Sequence, residues 1–520
     1  MSYKESLISV KGYTRPIKTR LNYKLEHIVY YDNELTALLS SSMNYKYNNS
    51  IYYDQQQTQE QALESYSSHF CWLLSSVVAL LLPIFITNIG RAVTVSSVGH
   101  LGAQELAGMS LAQMIELCTF LSLSLGMSYT LDTLCGQSWT SAIDKKIIGI
   151  QLQRGLFIYS VLVLPIVIIW GLSLVMLQNM KFVGPDTVVL YAGTYLLFNI
   201  PGSLSFAVAY MIAAYLRAQG IMRVVVYGTA LAFPVKVAFN YLLVGGTSFN
   251  LGVAGASISD SMGSIILCAY TIGYSYWIVG SKGGGWGGWT RQCLHGCMPT
   301  LKLLVPSTFL QLIQIATPQL GCLVASYFGT AALGAYFILL QTNAIFLSLA
   351  FSLRHAMMTR IGNLMGKGSL IETKRSIVVA SSFAFTSGMI CATVLVSCRS
   401  IYPAIYTNDD EVAHIVFKTL PTIALSQIIG SLSYCQVGIA YGLGRQRQTA
   451  IITFFAYLLV GIPVGYFCAF TLDWAITGLW TGMVMAEFAV AIALFFYLYK
   501  LDWDLEVCRI IEQVTKERQR

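Results

Sequence analysis

The 520-residue sequence has few charged side chains, since Asp, Glu, Lys and Arg together make up only 11% of it. Soluble domains carry roughly 25%, and hydrophobic residues here reach 55%. This composition excludes a soluble globular protein. The sequence also lacks the short alternating strands of a membrane β-barrel, whereas apolar segments of about 20 residues or more recur along it. We therefore expect an all-α integral membrane protein.

Patterns that indicate catalysis or metal binding are also missing. The sequence contains no HExxH motif and no evident set of nucleophile, base and orienting residue. The Gly-rich stretch SKGGGWGGW, at 281–289, lacks the strand-to-helix context of a phosphate loop and is typical of a linker. The twelve cysteines show no disulfide spacing, and QCLHGC, at 292–297, lacks a fourth metal ligand. We expect neither an enzyme nor a bound metal or cofactor.

Twelve apolar segments are long enough to cross a hydrocarbon core of about 30 Å as helices. They are predicted at residues 73–98, 107–132, 149–177, 187–216, 224–245, 252–279, 303–325, 333–359, 376–398, 411–441, 449–471 and 475–499. The polar N-terminal region cannot bury enough apolar surface to fold alone. The predicted organisation is a disordered tail over 1–70, a six-helix lobe over 71–280, a linker over 281–300, a second six-helix lobe over 301–500 and a tail over 501–520.

Lys and Arg residues are concentrated in alternate connections, which predicts the orientation in the membrane. The connections after the even-numbered spans carry most of them, whereas the opposite connections hold little beyond Lys181 and Arg399. Both termini and the linker are therefore expected in the cytosol. The net charge of +8 then reflects membrane topology, and no nucleic-acid partner is expected.

The two halves of the sequence repeat at an offset of 223 to 227 residues. The matching segments are HLGAQELAG at 100–108 with YFGTAALGA at 327–335, LCGQSW at 134–139 with RIGNLM at 360–365, and LGVAGASIS at 251–259 with WAITGLWTG at 474–482. Six spans per half preserve the direction of crossing, so the repeat is parallel. This arrangement suits two bundles that rock about a central site.

Several segments together resemble the eukaryotic branch of the multidrug and toxic compound extrusion (MATE) family. They are SSVGHLGAQELAGMSLA, LDTLCGQSW, YLRAQG, RIGNLMGKG, GIAYGLGRQRQTAI, LVGIPVGYFCAF and LDWDLEV, and they occur in family order. The resemblance covers most of the sequence from about residue 70 to 507. It implies a secondary-active exporter of organic solutes, usually cations, in exchange for protons or sodium.

The resemblance also implies where a substrate cavity lies. Family glutamates in spans seven and eight fall on Gln314, Gln319 and Gln341, and a fourth, in span ten, falls near Gly430. The cavity lining would therefore stay polar but lose its negative charge. Amides at these positions can instead simply hydrogen-bond neighbouring helices. Tyr336 is a further substrate-binding candidate, since aromatic faces can hold organic cations without a carboxylate.

Because the glutamates are replaced, a second function stays open: an uncoupled or differently coupled carrier of neutral or anionic solutes. Either function predicts a small organic solute as partner, membrane lipid as surroundings and a monomer. Coupled transport would add a proton or sodium ion. The plasma membrane and vacuolar or other organellar membranes are equally compatible with the sequence.

Carboxylates within membrane spans are costly, so those present are candidates for ion coupling. Glu116 and Asp260 lie near the predicted midplane, and Asp132 is placed at the cytosolic end of span two, exposed, with a helix-end or gating role. Lys236 is expected to form a structural ion pair with Glu116 or Asp260, whose carboxylate would then stay ionised. Glu487, in the peripheral span twelve, is expected to face a partner or the interface. Glu116 is favoured as the proton carrier.

Overall fold

The computed structural model describes residues 65–142, 144–173, 186–244, 250–279, 285–407 and 409–519. Almost all of the predicted disordered tail lies outside these residues. The first described helix begins at Tyr66, inside the range predicted for that tail.

All twelve predicted spans are helices long and apolar enough to cross a membrane. We number them α1 Tyr66–Gly99, α2 Gln104–Ser141, α3 Ile147–Gly171, α4 Thr187–Ala218, α5 Val224–Val244, α6 Gly252–Trp277, α7 Cys297–Phe328, α8 Thr330–Gly366, α9 Leu370–Ser397, α10 Asp410–Gly442, α11 Gln446–Thr471 and α12 Ala475–Tyr499. A last helix, α13, covers Trp503–Gln519. The described residues contain no β-strand.

Several helices are longer than their apolar segments. The largest difference is at α2, which continues to Ser141 rather than ending near residue 132. The extra turns carry polar side chains such as Thr133 and Gln137, and both are buried. Their low hydropathy predicts that the membrane span ends before them, but in the structure neighbouring helices cover them. This is why the sequence predicts the helix too short.

The two lobes, α1–α6 and α7–α12, repeat one another in backbone detail. Gly102 caps the start of α2, and Gly329, at the matching position, caps the start of α8. At the starts of α6 and α12, Gly252 has a φ of 55° and Ala475 a φ of 42°. A left-handed residue at the same place in both halves, one of them not a glycine, indicates an inherited repeat rather than chance similarity.

The lobes bond to each other at one end of the bundle. Among the described residues, hydrogen bonds between lobes join α1, α2 and α4 to α8, α10 and α11 around residues 129–137 and 354–363. Gln137 Nε2, for example, donates to the Gly442 carbonyl at 2.8 Å. Gly366 allows this approach, since a β-carbon there would lie 2.6 Å from the Gln137 carbonyl oxygen.

Helix α13 packs against this same end of the bundle, which we call the closed end because the two lobes are hydrogen-bonded to each other there. Glu506 forms ion pairs with Arg445 and with Arg509, the latter at 2.7 Å, and Arg509 also donates to the Leu443 carbonyl at 2.7 Å. Ile510 is fully buried in the adjoining core. Burial, followed by the nearby charge of Arg445, lowers the pKa of Arg509 to about 10. The arginine therefore stays charged at neutral pH, and the docking contacts persist.

Candidate functional site

A charged cluster occupies the middle of the N-terminal lobe and is centred on Asp260 of α6. Its carboxylate lies 2.7 Å from Lys236 Nζ on α5 and accepts hydrogen bonds from Thr94 on α1, at 2.9 Å, and from Tyr195 on α4, at 2.7 Å. Four helices therefore contribute to the group. Lys236, whose predicted partner was Glu116 or Asp260, is placed against Asp260.

Two glycines make room for the Lys236 side chain. A β-carbon on Gly90 would lie 3.3 Å from Nζ, and one on Gly263 would lie 3.3 Å from the Lys236 β-carbon. Beside the ion pair is a cavity of about 80 Å³, lined by α1, α4, α5 and α6. The cavity has Lys236 and Asp260 in its wall together with Phe206 and Phe233. The ion pair thus borders a small, half-open and partly apolar pocket between these helices.

Glu116 lies on α2 near this cluster and close enough to Arg91 of α1 to feel its charge, but the two side chains do not form an ion pair. Its Oε1 accepts a hydrogen bond from Ser203 of α4 at 3.2 Å. No Lys, Arg or His among the described residues forms an ion pair with it. The helix then changes to a π-helical turn over Leu117–Leu121, a feature that often occurs at functional positions. Glu116 is therefore a carboxylate inside this lobe that, among the described residues, is not held in an ion pair.

The sequence-based placement of Asp132 is wrong. It lies nine residues inside the end of α2 and is only 1% exposed, because the polar turns that follow it are buried. Arg217 of α4 donates to both carboxylate oxygens, at 2.9 and 2.8 Å. His355 of α8 lies 3.3 Å from Oδ2. Asp132 and Arg217 therefore form a buried ion pair, and His355 of the opposite lobe contacts the same carboxylate.

Glu487 of α12 also differs from its predicted environment. Only 9% of the residue is exposed, so it faces neither an interface nor lipid. Its Oε2 would lie 3.3 Å from a β-carbon on Gly430 of α10 and has no hydrogen-bond partner among the described residues. The absence of a side chain at Gly430 gives the carboxylate space to lie inside the C-terminal lobe.

The junction of the two lobes contains Arg354 of α8, which is fully buried. Nη1 donates to Gln314 Oε1 on α7 at 3.1 Å, and Nη2 donates to the Tyr129 hydroxyl on α2. The guanidinium carbon lies 4.4 Å from the centre of the Tyr129 ring, 5.0 Å from that of Phe351 and 5.2 Å from that of Tyr434. Arg354 therefore contacts both lobes through neutral partners.

The other predicted substrate-binding residues have varied surroundings. Gln319 is half-buried and Gln341 is exposed, and neither makes a side-chain hydrogen bond among the described residues. Tyr336 is fully buried, stacks near Trp480 and donates to the Pro318 carbonyl at 2.8 Å. In this conformation Tyr336 therefore belongs to the core of the C-terminal lobe and offers no open ring face.

Sequence analysis missed Arg354 and His355. Both lie inside span eight, which was predicted to end near residue 359, but neither was named as a candidate. In the structure α8 continues to Gly366, which leaves Arg354 twelve residues inside the helix. The signal that could have identified it was a charged residue, in FSLRHAMM, within an otherwise apolar segment.

Twelve membrane-spanning helices in two parallel-repeated lobes, with buried charges inside each lobe and at their junction, define a multi-pass membrane transporter. The sequence matches the MatE family twice, over residues 79–242 and 306–467. The chain belongs to the MatE family, and each match covers most of one lobe.

Comparison with individual proteins agrees with this assignment. An uncharacterized transporter of Schizosaccharomyces pombe is 30% identical over 450 residues, 85% of this chain and 82% of the relative. Multidrug and toxin extrusion protein 2 of Oryctolagus cuniculus is 29% identical and covers 78% of this chain and 67% of the relative. The crystal structure of the eukaryotic MATE transporter AtDTX14 superposes with a TM-score of 0.79 at 20% identity, over 86% of this chain and 99% of that one. The fold is therefore that of a MATE transporter.

Proposed function

We propose that this protein exports organic solutes by proton- or sodium-coupled antiport with alternating access. The observation that carries the proposal is a combination: among the described residues the hydrogen bonds between the lobes lie at one end, and one lobe contains a carboxylate, Glu116, that forms no ion pair. Rocking of the lobes would expose a central cleft to each side in turn. A carboxylate free of a cationic partner can then gain and lose a proton during the cycle.

The ion pairs favour Glu116 over the other coupling candidates. Asp260 lies 2.7 Å from Lys236 and Asp132 lies 2.8 Å from Arg217. Binding a proton would cost each of these acids its ion pair, so both are poor proton carriers. Glu116 has neutral hydrogen-bond partners, Ser203 and Asn199, and lies about 18 Å along α2. Glu487 is a buried carboxylate of the C-terminal lobe that forms no ion pair among the described residues, and it is the comparison residue for the test.

The distribution of Lys and Arg among the connections indicates on which side of the membrane the closed end lies. Lys145, Lys367 and Arg445 lie beside the end at which the lobes bond to each other. We assign this end to the cytosol, with both termini on that side. The structure then corresponds to the state closed toward the cytosol. A tag at residue 520 that labels from outside intact cells would contradict this assignment.

The test of coupling is uptake of a fluorescent organic cation into proteoliposomes with and without an imposed pH gradient. We expect Glu116→Gln to abolish gradient-driven uptake and to leave downhill exchange intact, because glutamine keeps the shape but has no titratable proton. Glu105→Gln makes the same change at the start of α2 and serves as the matched control. Unchanged gradient-driven uptake in Glu116→Gln would refute the assignment to Glu116, and its loss in Glu487→Gln alone would move the role to the C-terminal lobe.

A second candidate function is transport of neutral or anionic solutes on the same fold. Gln314, Gln319 and Gln341 stand where the resemblance places glutamates, and Arg354 adds a buried positive charge beside Gln314. A cavity with these groups is less suited to organic cations. Uptake of the cationic dye at equal rates with and without a gradient in the unmutated protein would favour an uncoupled carrier.

A further inference from the structure

We propose that the guanidinium of Arg354 binds the carboxylate or sulfonate group of a transported organic anion with a flat, apolar body. The proposal rests on the proposed transport function and assigns a substrate class to it. It is argued from the charge balance, the donor geometry and the aromatic surroundings of Arg354.

The charge of Arg354 has no counter-ion in the region that the structure describes. No carboxylate lies within 4 Å of its nitrogens. The carboxylate of Asp132 is occupied by Arg217 and His355, and Glu487 lies against Gly430 instead. A fully buried guanidinium without a carboxylate is costly, so a membrane protein that contains one is expected to use it.

The donor geometry leaves room for a stronger acceptor. The Nε atom of Arg354 is buried and has no partner, and the two Nη atoms donate to the neutral oxygens of Gln314 and Tyr129. An ionised carboxylate or sulfonate accepts two parallel hydrogen bonds from a guanidinium and binds more strongly than either neutral oxygen. An anion can therefore displace these partners and compensate the charge.

Three aromatic rings surround the guanidinium and favour flat solutes. The rings of Tyr129, Phe351 and Tyr434 lie within about 5 Å of its central carbon. Tyr129 belongs to the N-terminal lobe, whereas the other two belong to the C-terminal lobe. An aromatic or similarly planar solute body could stack on these faces while its anionic group contacts Arg354.

The position of Arg354 also allows access during the transport cycle. Gln314, which accepts a hydrogen bond from Arg354, is itself partly exposed. The hydrogen bond to Tyr129 joins the lobes. When the lobes separate at this end, that bond breaks and the guanidinium is exposed. The site would then be open in the alternate state.

Binding of labelled benzenesulfonate to the purified full-length protein is the direct test. Benzenesulfonamide has nearly the same shape without the charge, and benzamidine carries the opposite charge. We expect benzenesulfonate to bind and the sulfonamide to compete about tenfold or more weaker, as expected for loss of a charge-assisted contact. Competition by inorganic sulfate as strong as by unlabelled benzenesulfonate would overturn the proposal of an organic substrate. Equal competition by the sulfonamide would overturn the role of charge.

Variants then connect binding to the residue. Arg354→Met should reduce benzenesulfonate binding about tenfold or more, and Arg354→Lys should reduce it less because the charge remains. Arg447→Gln removes an exposed arginine of the same lobe and should bind normally. A merely structural role for Arg354 predicts that benzenesulfonate and benzamidine binding fall together in Arg354→Met. Unchanged benzenesulfonate binding in that variant would refute the site.

The same probes separate failure of this site from failure of the transport function. If proteoliposomes move a cationic dye but the protein does not bind benzenesulfonate, the anion site is refuted and transport stands. If benzenesulfonate binds at Arg354 but no gradient moves either probe, the transport function fails and the site stands. If Arg354→Met does not fold, Arg354→Lys still connects binding to this residue, and absence of benzenesulfonate binding in the wild type refutes the site without any variant.

Discussion

Replacement of Gly366 by Ala tests whether the closed end depends on close contact between the lobes. The added β-carbon would lie 2.6 Å from the Gln137 carbonyl oxygen, whereas ordinary contact begins near 3.4 Å, so the helices must separate by about 0.8 Å. Two hydrogen bonds between lobes lie next to this contact. They join Gln137 to the Gly442 carbonyl at 2.8 Å and Thr133 to the Tyr441 carbonyl at 2.9 Å.

If the C-terminal lobe moves as a unit, both hydrogen bonds lengthen beyond a useful distance. Each lost hydrogen bond costs about 1 kcal/mol, and the disturbed packing adds up to about 1 kcal/mol. The closed state is therefore destabilised by roughly 2 to 3 kcal/mol relative to the state with separated lobes. The equilibrium then shifts roughly 30- to 140-fold toward separation of the lobes at this end. The change acts on one conformation rather than on folding of either lobe.

Hydrogen–deuterium exchange of peptides covering residues 129–142 and 437–446 measures this shift, because separation of the lobes exposes these segments to solvent. We expect faster exchange in both peptides of Gly366→Ala and little change elsewhere. Gly171→Ala is the matched control, since a β-carbon there meets nothing within 4 Å. Equal exchange in the two variants would show that the contact at Gly366 does not hold the lobes together.

Three further predictions concern the buried charges. Asp132→Asn should destabilise the protein by about 3 to 5 kcal/mol, because Arg217 is left buried without its counter-ion; a thermal melt no lower than that of the wild type would contradict this. Lys236→Met should destabilise more than the double variant Lys236→Met with Asp260→Asn, since the double variant leaves no unpaired charge; additive losses of melting temperature would disprove coupling. Glu506→Gln should release α13 from the closed end, because Glu506 pairs with Arg445 and Arg509. Limited proteolysis should then cleave this helix faster, and an unchanged rate would refute the prediction.

The sequence was sufficient to predict the number, type and repetition of the membrane-spanning helices, although α13 lies in the segment predicted as a tail. Each of these depends on local properties: the length of an apolar run, or a motif that recurs at a constant offset. The left-handed residues Gly252 and Ala475 lie in one of the repeated segments, so the repeat in sequence is matched in the backbone. Helix ends were less predictable, because buried polar turns such as those after Asp132 have the hydropathy of a loop.

The tertiary structure decided which charges meet. Lys236 could be assigned to the midplane from the sequence, but its choice of Asp260 over Glu116 depends on how α1, α4, α5 and α6 pack around it. Arg354 was not named as a candidate from the sequence, and only the contact of the two lobes shows it buried between Gln314 and Tyr129. An ion pair or a missing counter-ion is a property of distances between helices, and these distances are set by side-chain packing across the whole bundle rather than by any one segment.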